Sequence, residues 1–411
     1  MAQKFFLISQ VFYPDETATA AILTDIAAEL AKDPAVSVEV WCAQPSYSTR
    51  QRQKSKVIHN NMEIFYMPGT NFPKAVLAGR LLNYLTFSLA LFVRLLCAPG
   101  RTPVFTVTNP PFLGILVWLN SRLRRMPYVY IVHDVQPDGL LRLGMLKKNS
   151  FAARVWTWLN RCVLRGAERI VVIGRDMVGW VEATAPSAVD KTVYIPNCQD
   201  EQLIKPLNFN ENLFVKGHQL ADSFVVQYSG NMGLWNDMKS LALAARRLCG
   251  QGVQFCFIGA GMRQKELFEV WGNVAPENTL FLPFQPKNRI GASLTACHVA
   301  LISLRRGLEG IAVPSKLYGI LAAGVAVIAQ VPQDSEVALT VGEAGCGIVV
   351  EPGDDEGLVR AILYLKEHER ERLQMGRNAR QAFEKKFTSS RVAEQYHALW
   401  RELPGGESKT L

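Results

Sequence analysis

The chain has 411 residues, 49% of them apolar and 20% charged, with a formal net charge of +9. That length exceeds what one hydrophobic core sustains and suits two domains of about 200 residues each, and the apolar content excludes a disordered chain. Eight cysteines stand singly, with no CxxC spacing and no His/Cys cluster, which argues against a structural zinc and for reduced thiols in a cytosolic compartment.

The N-terminus, MAQKFFLISQVF, has neither a basic leader nor a small-residue cleavage site and reads as a first strand, Phe5 to Ile8. It opens into the loop YPDETATA, Tyr13 to Ala20, ahead of a helix through Ala31; the small residues from Thr17 to Ala20 leave room for a ligand at the backbone. Val36 to Cys42 and Ile64 to Met67 continue the strand series. Ala75 to Cys97 is apolar but interrupted by Arg80, Asn83 and Arg94, which makes it a poor membrane span. An amphipathic helix touching a headgroup layer and a plain core helix both fit it. Val104 to Thr108 is a strand, and Leu113 to Arg125 a helix whose closing arginines, Arg122, Arg124 and Arg125, also complement the helix dipole. Tyr128 to Val132 delivers the sequence HDVQPD, His133 to Asp138, at a strand end. A histidine beside a carboxylate there is an active-site candidate, with a structural histidine as the alternative. Phe151 to Arg165 is basic and carries Trp156 and Trp158, a composition that suits a membrane interface. Ile170 to Ile173 and Val193 to Pro196 close this series, and the polar stretch Asn197 to Ser223 reads as an inter-domain linker.

The charge is uneven. Lys74 to Arg175 holds 15 Lys/Arg against 3 Asp/Glu, a net of +12, which leaves about −3 for the remainder. Such an excess points to an anionic partner, whether nucleic acid, anionic lipid or phosphorylated substrate, or to a solvated basic face.

A second strand–helix series starts at Phe224. FVVQYSG leads into NMGLWNDM and a helix through Leu248; VQFCFIG leads into GAGMRQKE; TLFLPF leads into the loop Gln285 to Arg289. The alternation predicts a second doubly wound parallel sheet. Its most informative part runs from Val299 to Gln330: strand Val299 to Leu304, a glycine-punctuated loop, helix Ser315 to Ala323 closed by Gly324, and strand Val325 to Ala329. The loop falls at the carboxyl end of a strand, where open α/β sheets bind ligands. It offers Glu309, whose carboxylate suits sugar hydroxyls, together with Arg305, Arg306 and Ser315–Lys316 at a helix N-terminus, which suit a pyrophosphate. Gly347 to Val350 is the last strand; Glu356 to His368 and Glu371 to Glu402 read as helices, and LPGGESKTL as a frayed tail.

These motifs in this order (a first-domain His at a strand end, YSGNMG, FIGAG, Glu-Gly ahead of a helix, AAGVAVIA) resemble the family-four retaining glycosyltransferases of GT-B architecture, above all bacterial members that build surface polysaccharides and exopolysaccharides. The resemblance implies two doubly wound Rossmann-like α/β domains facing each other across a cleft. It places an acceptor-side domain at 1–200, with a crossing-back helix at 384–403, and a nucleotide-sugar domain at 201–383. It also implies a nucleotide-diphosphate sugar donor, most often UDP-linked, and a saccharide or lipid-linked saccharide acceptor. Gly230, Asn231, Met232 and Gly233 would face the donor phosphates, Gly259 and Gly261 the nucleotide, and Phe284–Gln285 the base. Glu309 matches the glutamate that contacts the donor sugar; Gly310, Ile311 and Ala312 would offer amides to the sugar or β-phosphate; His133 matches the histidine near the reacting centre. Thr17 to Thr19 stand where the family usually has a glycine-rich loop. The family's second glutamate falls on Leu317, or on Gly319 if aligned on AAG, so that carboxylate is missing. Lys316, Ser315 or backbone groups would take its place at the ribose, and the family's Arg and Lys for the phosphates have no clear counterpart after Gly230, where Asn231 stands, which leaves Arg305, Arg306 and Lys316 as candidates for that charge.

No DxD pair is present to hold a divalent ion, so cations and helix N-terminal amides are expected to stabilise the leaving diphosphate without metal or other cofactor. A nucleotide-sugar 2-epimerase of the same fold and a non-enzymatic protein binding anionic surfaces are the competing readings. A nucleic-acid partner is disfavoured because no recognition module accompanies the charge, and a nicotinamide oxidoreductase because neither first turn carries GxGxxG. The expected location is the cytoplasm, with the inner face of an anionic membrane as a contact.

Overall fold

The structure is a computed structural model that describes residues 3–45, 51–72, 77–98 and 102–403. The chain divides into two compact units. The first takes the chain up to Cys198, the segment Gly310–Ala312 and the chain from Ser389 onward; the second takes Gln199–Glu309 and Val313–Thr388.

Unit 1 is built on strands β1 (Gln3–Ile8), β2 (Val36–Cys42), β3 (Lys56–His59), β4 (Met62–Tyr66), β5 (Val104–Val107), β6 (Tyr128–Val132), β7 (Arg169–Val172) and β8 (Thr192–Tyr194). They form one sheet in the order β3-β4-β2-β1-β5-β6-β7-β8. All neighbours are parallel except the β3/β4 hairpin. The sequence reading misses β3. Its residues alternate between exposed and half-buried, so it lacks the continuous apolar run that marks the inner strands. The helices are α1 (Ala18–Leu30), α2 (Leu77–Leu96), α3 (Leu113–Arg124), α4 (Asp138–Arg142), α5 (Phe151–Gly166) and α6 (Val178–Thr184). Residues 75 and 76 of the expected apolar helix lie outside the described residues.

Unit 2 carries helix α7 (Leu213–Gly217), strands β9 (Phe224–Ser229), β10 (Val253–Ile258), β11 (Thr279–Leu282), β12 (Val299–Ser303), β13 (Ala326–Gln330) and β14 (Gly347–Val350), and helices α8 (Met238–Arg247), α9 (Gln264–Trp271), α10 (Ile290–Leu294), α11 (Lys316–Ala323), α12 (Glu336–Ala344), α13 (Asp355–Glu367) and α14 (Glu369–Lys386). Its sheet is parallel throughout, in the order β11-β10-β9-β12-β13-β14. Strand order therefore reverses between β9 and β12, the place where such sheets open a crevice at their carboxyl ends. Phe255, Phe257, Leu241, Leu248, Trp271 and Ile362 bury the helices on one face of this sheet.

Two expectations change. The stretch 197–223 is more than a solvated linker: Ile204, Phe214, Val215 and Leu220 are buried. Asn212 caps α7 through Phe214 N–H (2.8 Å) and gives its amide to Ala292 O (2.7 Å) and Thr295 Oγ1 (3.0 Å), which ties this stretch to α10. The long C-terminal helix is two helices, α14 and α15 (Ser389–Arg401), because the chain pauses at Phe387–Thr388 to accept Gln199 N–H (3.1 Å). Helix α15 joins unit 1, where the Trp400 ring lies 6.3 Å from that of Phe5 and the Tyr396 ring 6.3 Å from that of Phe105.

Candidate active site

In unit 2 the loops that follow β9, β10, β11 and β12, on either side of the strand-order reversal, hold most of the residues that stand out in the sequence. Gly230 follows β9 with φ +123°, a conformation that favours glycine. Its N–H bonds to Ile258 O (2.8 Å), and Met232 N–H to Ala260 O (3.0 Å), so the loops after β9 and β10 are laced together. This explains two further glycines. A Cβ on Gly259 would lie 2.4 Å from Gly230 O, and one on Gly261 would lie 2.3 Å from Met232 O. Gly259 and Gly261 thus serve loop-to-loop packing first. Met232 is fully buried and plugs the turn, while Asn231 is exposed and Gly233 packs against its amide.

Gly230 opens in a different direction. The atoms closest to where its Cβ would stand are Lys316 Cε (3.5 Å) and Nζ (3.6 Å). Lys316 opens α11, preceded by Pro314 and Ser315, whose hydroxyl makes no cap bond. Its Nζ sits 3.4 Å from the centroid of the Tyr228 ring, out of solvent and with no hydrogen-bond acceptor. Tyr228 is held in place by its hydroxyl, which donates to Asn231 O (2.9 Å). Burial pushes the Lys316 ammonium well below its ordinary range. A desolvated donor without an acceptor is costly, and an anion placed over Gly230 would supply the missing acceptor. Nothing in the sequence marks Tyr228, which sits inside YSG and reads there only as a strand residue.

The rim is also ordered. Arg305 N–H bonds to Trp235 O (2.8 Å), and Ser303 Oγ accepts Asp237 N–H (2.7 Å), which joins the loop after β12 to the start of α8. Arg306 turns away, to Pro352 O (3.3 Å) and Glu351 (3.9 Å). Phe284 is 58% exposed and its ring borders Gly259; Gln285 donates to Pro283 O (2.9 Å). Glu309 is half-buried on the loop between β12 and α11. Leu317 is completely buried in the core, and Gly319 packs on Leu294, so neither position presents a polar group in place of the missing glutamate.

In unit 1, Thr108 Oγ1 accepts the backbone N–H of His133 (3.2 Å) and of Asp134 (3.1 Å), which fixes the turn after β6. His133 is 7% exposed, its Nε2 has no hydrogen-bond partner, and burial lowers its pKa to about 4, so it is a neutral imidazole at pH 7. Asp134 is reached by solvent yet crowded by protein atoms, and desolvation raises its carboxyl to about 6. The segment Gly310–Ala312 groups with this unit: Gly310 (φ +69°) donates to Asp176 Oδ2 (2.9 Å), and Ile311 O, its side chain buried, accepts Val135 N–H (2.9 Å). The amide of Gly310 is therefore committed to protein, and Ala312 bridges Asp134. Thr17 caps α1, accepting Ala20 N–H (3.3 Å), so its hydroxyl has a structural task.

Residues 17–198 match the family model for the glycosyl transferase 4-like domain, and residues 210–382 that for glycosyl transferases group 1. Between them these models account for most of the chain, which belongs to the group 1 glycosyltransferases with the two Rossmann-like domains of the GT-B fold. Probable glycosyltransferase WbjE of Pseudomonas aeruginosa is 29% identical over 312 residues, 74% of this chain and 75% of that protein. WcaI of Escherichia coli K12, provisionally named a colanic acid biosynthesis glycosyl transferase, is 24% identical over 290 residues, 69% and 71% of the two chains. The crystal structure of Anabaena Alr3699/HepE with UDP-glucose superposes with a TM-score of 0.72 at 17% identity, covering 98% of this chain and all of that one, a likeness of fold.

Proposed function

We propose that the protein transfers a hexosyl or N-acetylhexosaminyl group, with retention, from a UDP-linked donor to a saccharide or lipid-linked saccharide during surface-polysaccharide synthesis at the cytoplasmic face of a membrane. The observation that carries this reading is Lys316, an ammonium held over Tyr228 beside Gly230 at the reversal point of the second sheet. A diphosphate leaving group gains negative charge as its bond to the sugar lengthens. A desolvated cation at that position stabilises the charge far better than one in water, and no bound ion is needed in this reading. Phe284 offers the base an exposed aromatic face. Glu309 is assigned the donor sugar, and the neutral imidazole of His133 the sugar face of the acceptor-side unit. The polysaccharide assignment draws on the WcaI relative, and the choice of UDP on the HepE complex.

The test is turnover with UDP-glucose and UDP-N-acetylglucosamine and a panel of lipid-linked saccharides, in buffer containing EDTA, with product anomers read by NMR. An α-linked product formed only with acceptor present is expected. Donor consumed without acceptor would support a 2-epimerase instead, and an inverted product would remove the retaining mechanism.

A further inference from the structure

Helix α2 has two apolar faces. Asn83, Phe87, Leu91 and Leu95 recur every fourth residue and are buried, while Leu81, Leu85, Leu89 and Val93 recur at the same spacing, two positions out of phase, and are 52%, 65%, 64% and 55% exposed. Two residues advance a helix by about 200°, so the stripes lie on opposite sides. By length and composition Ala78–Leu96 could cross a bilayer, but its inner side is fastened down. Asn83 bonds to Thr70 Oγ1, Phe72 N and Phe72 O at 2.9 Å each. Arg94 pairs with the buried Glu39 (3.7 Å) and lies 5.0 Å and 4.7 Å over the Trp41 and Phe65 rings. Helix α2 is thus a surface helix with an uncovered leucine stripe.

Its neighbours extend the surface. Helix α3 packs beside α2, and α5 beside α3. Arg124 of α3 reaches Ala98 O (3.3 Å), just past the end of α2. Leu123 is 65% exposed on α3, as are Phe151 (81%) and Trp158 (55%) on α5. The three helices together hold seven arginines and no Asp or Glu. Exposed apolar area of this extent marks an interaction site, and the charge chooses the partner. A second copy of this chain would bring the same arginines face to face, at a repulsive cost, and a polynucleotide would leave the leucines wet. An anionic lipid leaflet satisfies both chemistries at once.

We propose that the α2–α3–α5 face of unit 1 docks on an anionic phospholipid leaflet, with α2 lying in the headgroup plane, its outer leucines in the acyl boundary and the flanking arginines on lipid phosphates. This surface is distinct from the donor crevice of unit 2 and does not depend on how that crevice is read.

Co-sedimentation of the full chain with vesicles tests it. Wild type should pellet with equal parts phosphatidylglycerol and phosphatidylcholine and stay soluble with phosphatidylcholine alone. L85E/L89E should weaken vesicle binding by about tenfold or more. R122E/R124E/R125E should abolish the preference for the anionic lipid. Both variants should keep wild-type thermal stability and wild-type UDP affinity. If the glutamates disturb folding, L85S/L89S repeats the test with milder side chains and should also pellet less. Wild type remaining soluble with the mixed vesicles, or variants pelleting as it does, would overturn the proposal. So would a wild-type dimer that L85E/L89E dissociates, since that would assign the stripe to a second copy.

Discussion

Lys316 and Tyr228 come from helix α11 and strand β9, yet the lysine ammonium sits 3.4 Å from the centre of the tyrosine ring. The strand-order reversal makes the pair possible: β12 adds beside β9, so the helix following β12 starts over the end of β9. The ring gives the Lys316 Nζ a soft partner but no hydrogen-bond acceptor, so burial disfavours its proton for as long as no anion is there to pair with it.

Replacing Lys316 with Met should therefore separate stability from function. Removing a desolvated, unbonded amine should leave the unliganded protein as stable as wild type or more so. Turnover should fall by on the order of a hundredfold, the usual size for loss of one stabilising group at a developing charge, about 3 kcal/mol. Thermal melts and steady-state kinetics check the two halves independently. A Lys316→Met protein that unfolds easily would mean that the residue is structural.

The lacing of the loops after β9 and β10 predicts a contrast between two glycine-to-alanine changes. G261A pushes a methyl to 2.3 Å from Met232 O and 2.7 Å from Met232 N. Such overpacking should cost about 1–3 kcal/mol and weaken UDP binding, because the turn at Gly230 shifts with it. G342A lies in helix α12 with nothing within 4 Å, and should stabilise by about 0.5–1 kcal/mol through helix propensity. Urea midpoints measure both.

Acid should weaken the fold over a definite window. Burial lowers the pKa of both His133 and His298 to about 4 from an ordinary 6.5. His298 Nδ1 also accepts Val225 N–H (3.0 Å), a bond that requires that nitrogen to be unprotonated. Well above pH 6.5 neither the folded nor the unfolded histidine binds a proton and the stability is whole. As pH falls towards 4 the unfolded chain takes up protons that the folded chain refuses, and stability drops, by on the order of 3 kcal/mol for His133. Asp134, raised to about 6 by desolvation, works the other way: the folded carboxyl binds its proton first, which offsets part of the loss below pH 6. Denaturation midpoints at pH 7 and pH 4.5 for wild type and His298→Asn should show a smaller pH dependence in the variant.

At the start of α8, Asp237 accepts the N–H groups of Lys239 (3.1 Å) and Ser240 (3.3 Å), and Ser303 Oγ donates to its carbonyl (2.9 Å). Asp237→Ala should cost about 1 kcal/mol, as other lost helix caps do. Asp237→Asn, which keeps the acceptor oxygen, should recover most of it; differential scanning calorimetry distinguishes the two.

What could be read from the sequence follows from what leaves a one-dimensional trace. The inner strands are continuous apolar runs because both faces are covered, and helix α11 is framed by Pro314 and by Gly324 at φ +67°. Edge strand β3 has no such run, and the break at Phe387–Thr388 comes from a contact with Gln199, nearly two hundred residues earlier. The site was legible where glycines mark turns. It was illegible where geometry between strands decides the partner: the Tyr228 ring under Lys316, Thr108 holding the His133 turn, and Asp176 claiming the amide of Gly310. Gly259 and Gly261 were found by their motif, yet their tight contacts are to neighbouring backbone.

Isothermal titration of UDP into wild type and Lys316→Met, with EDTA in the buffer, tests the proposed donor site most directly. Saturable one-site binding by wild type and a loss of about tenfold or more in the variant are the expected results. UDP binding by wild type that disappears with EDTA, or equal affinities for the two proteins, would contradict a diphosphate held by the lysine at the β9/β12 reversal.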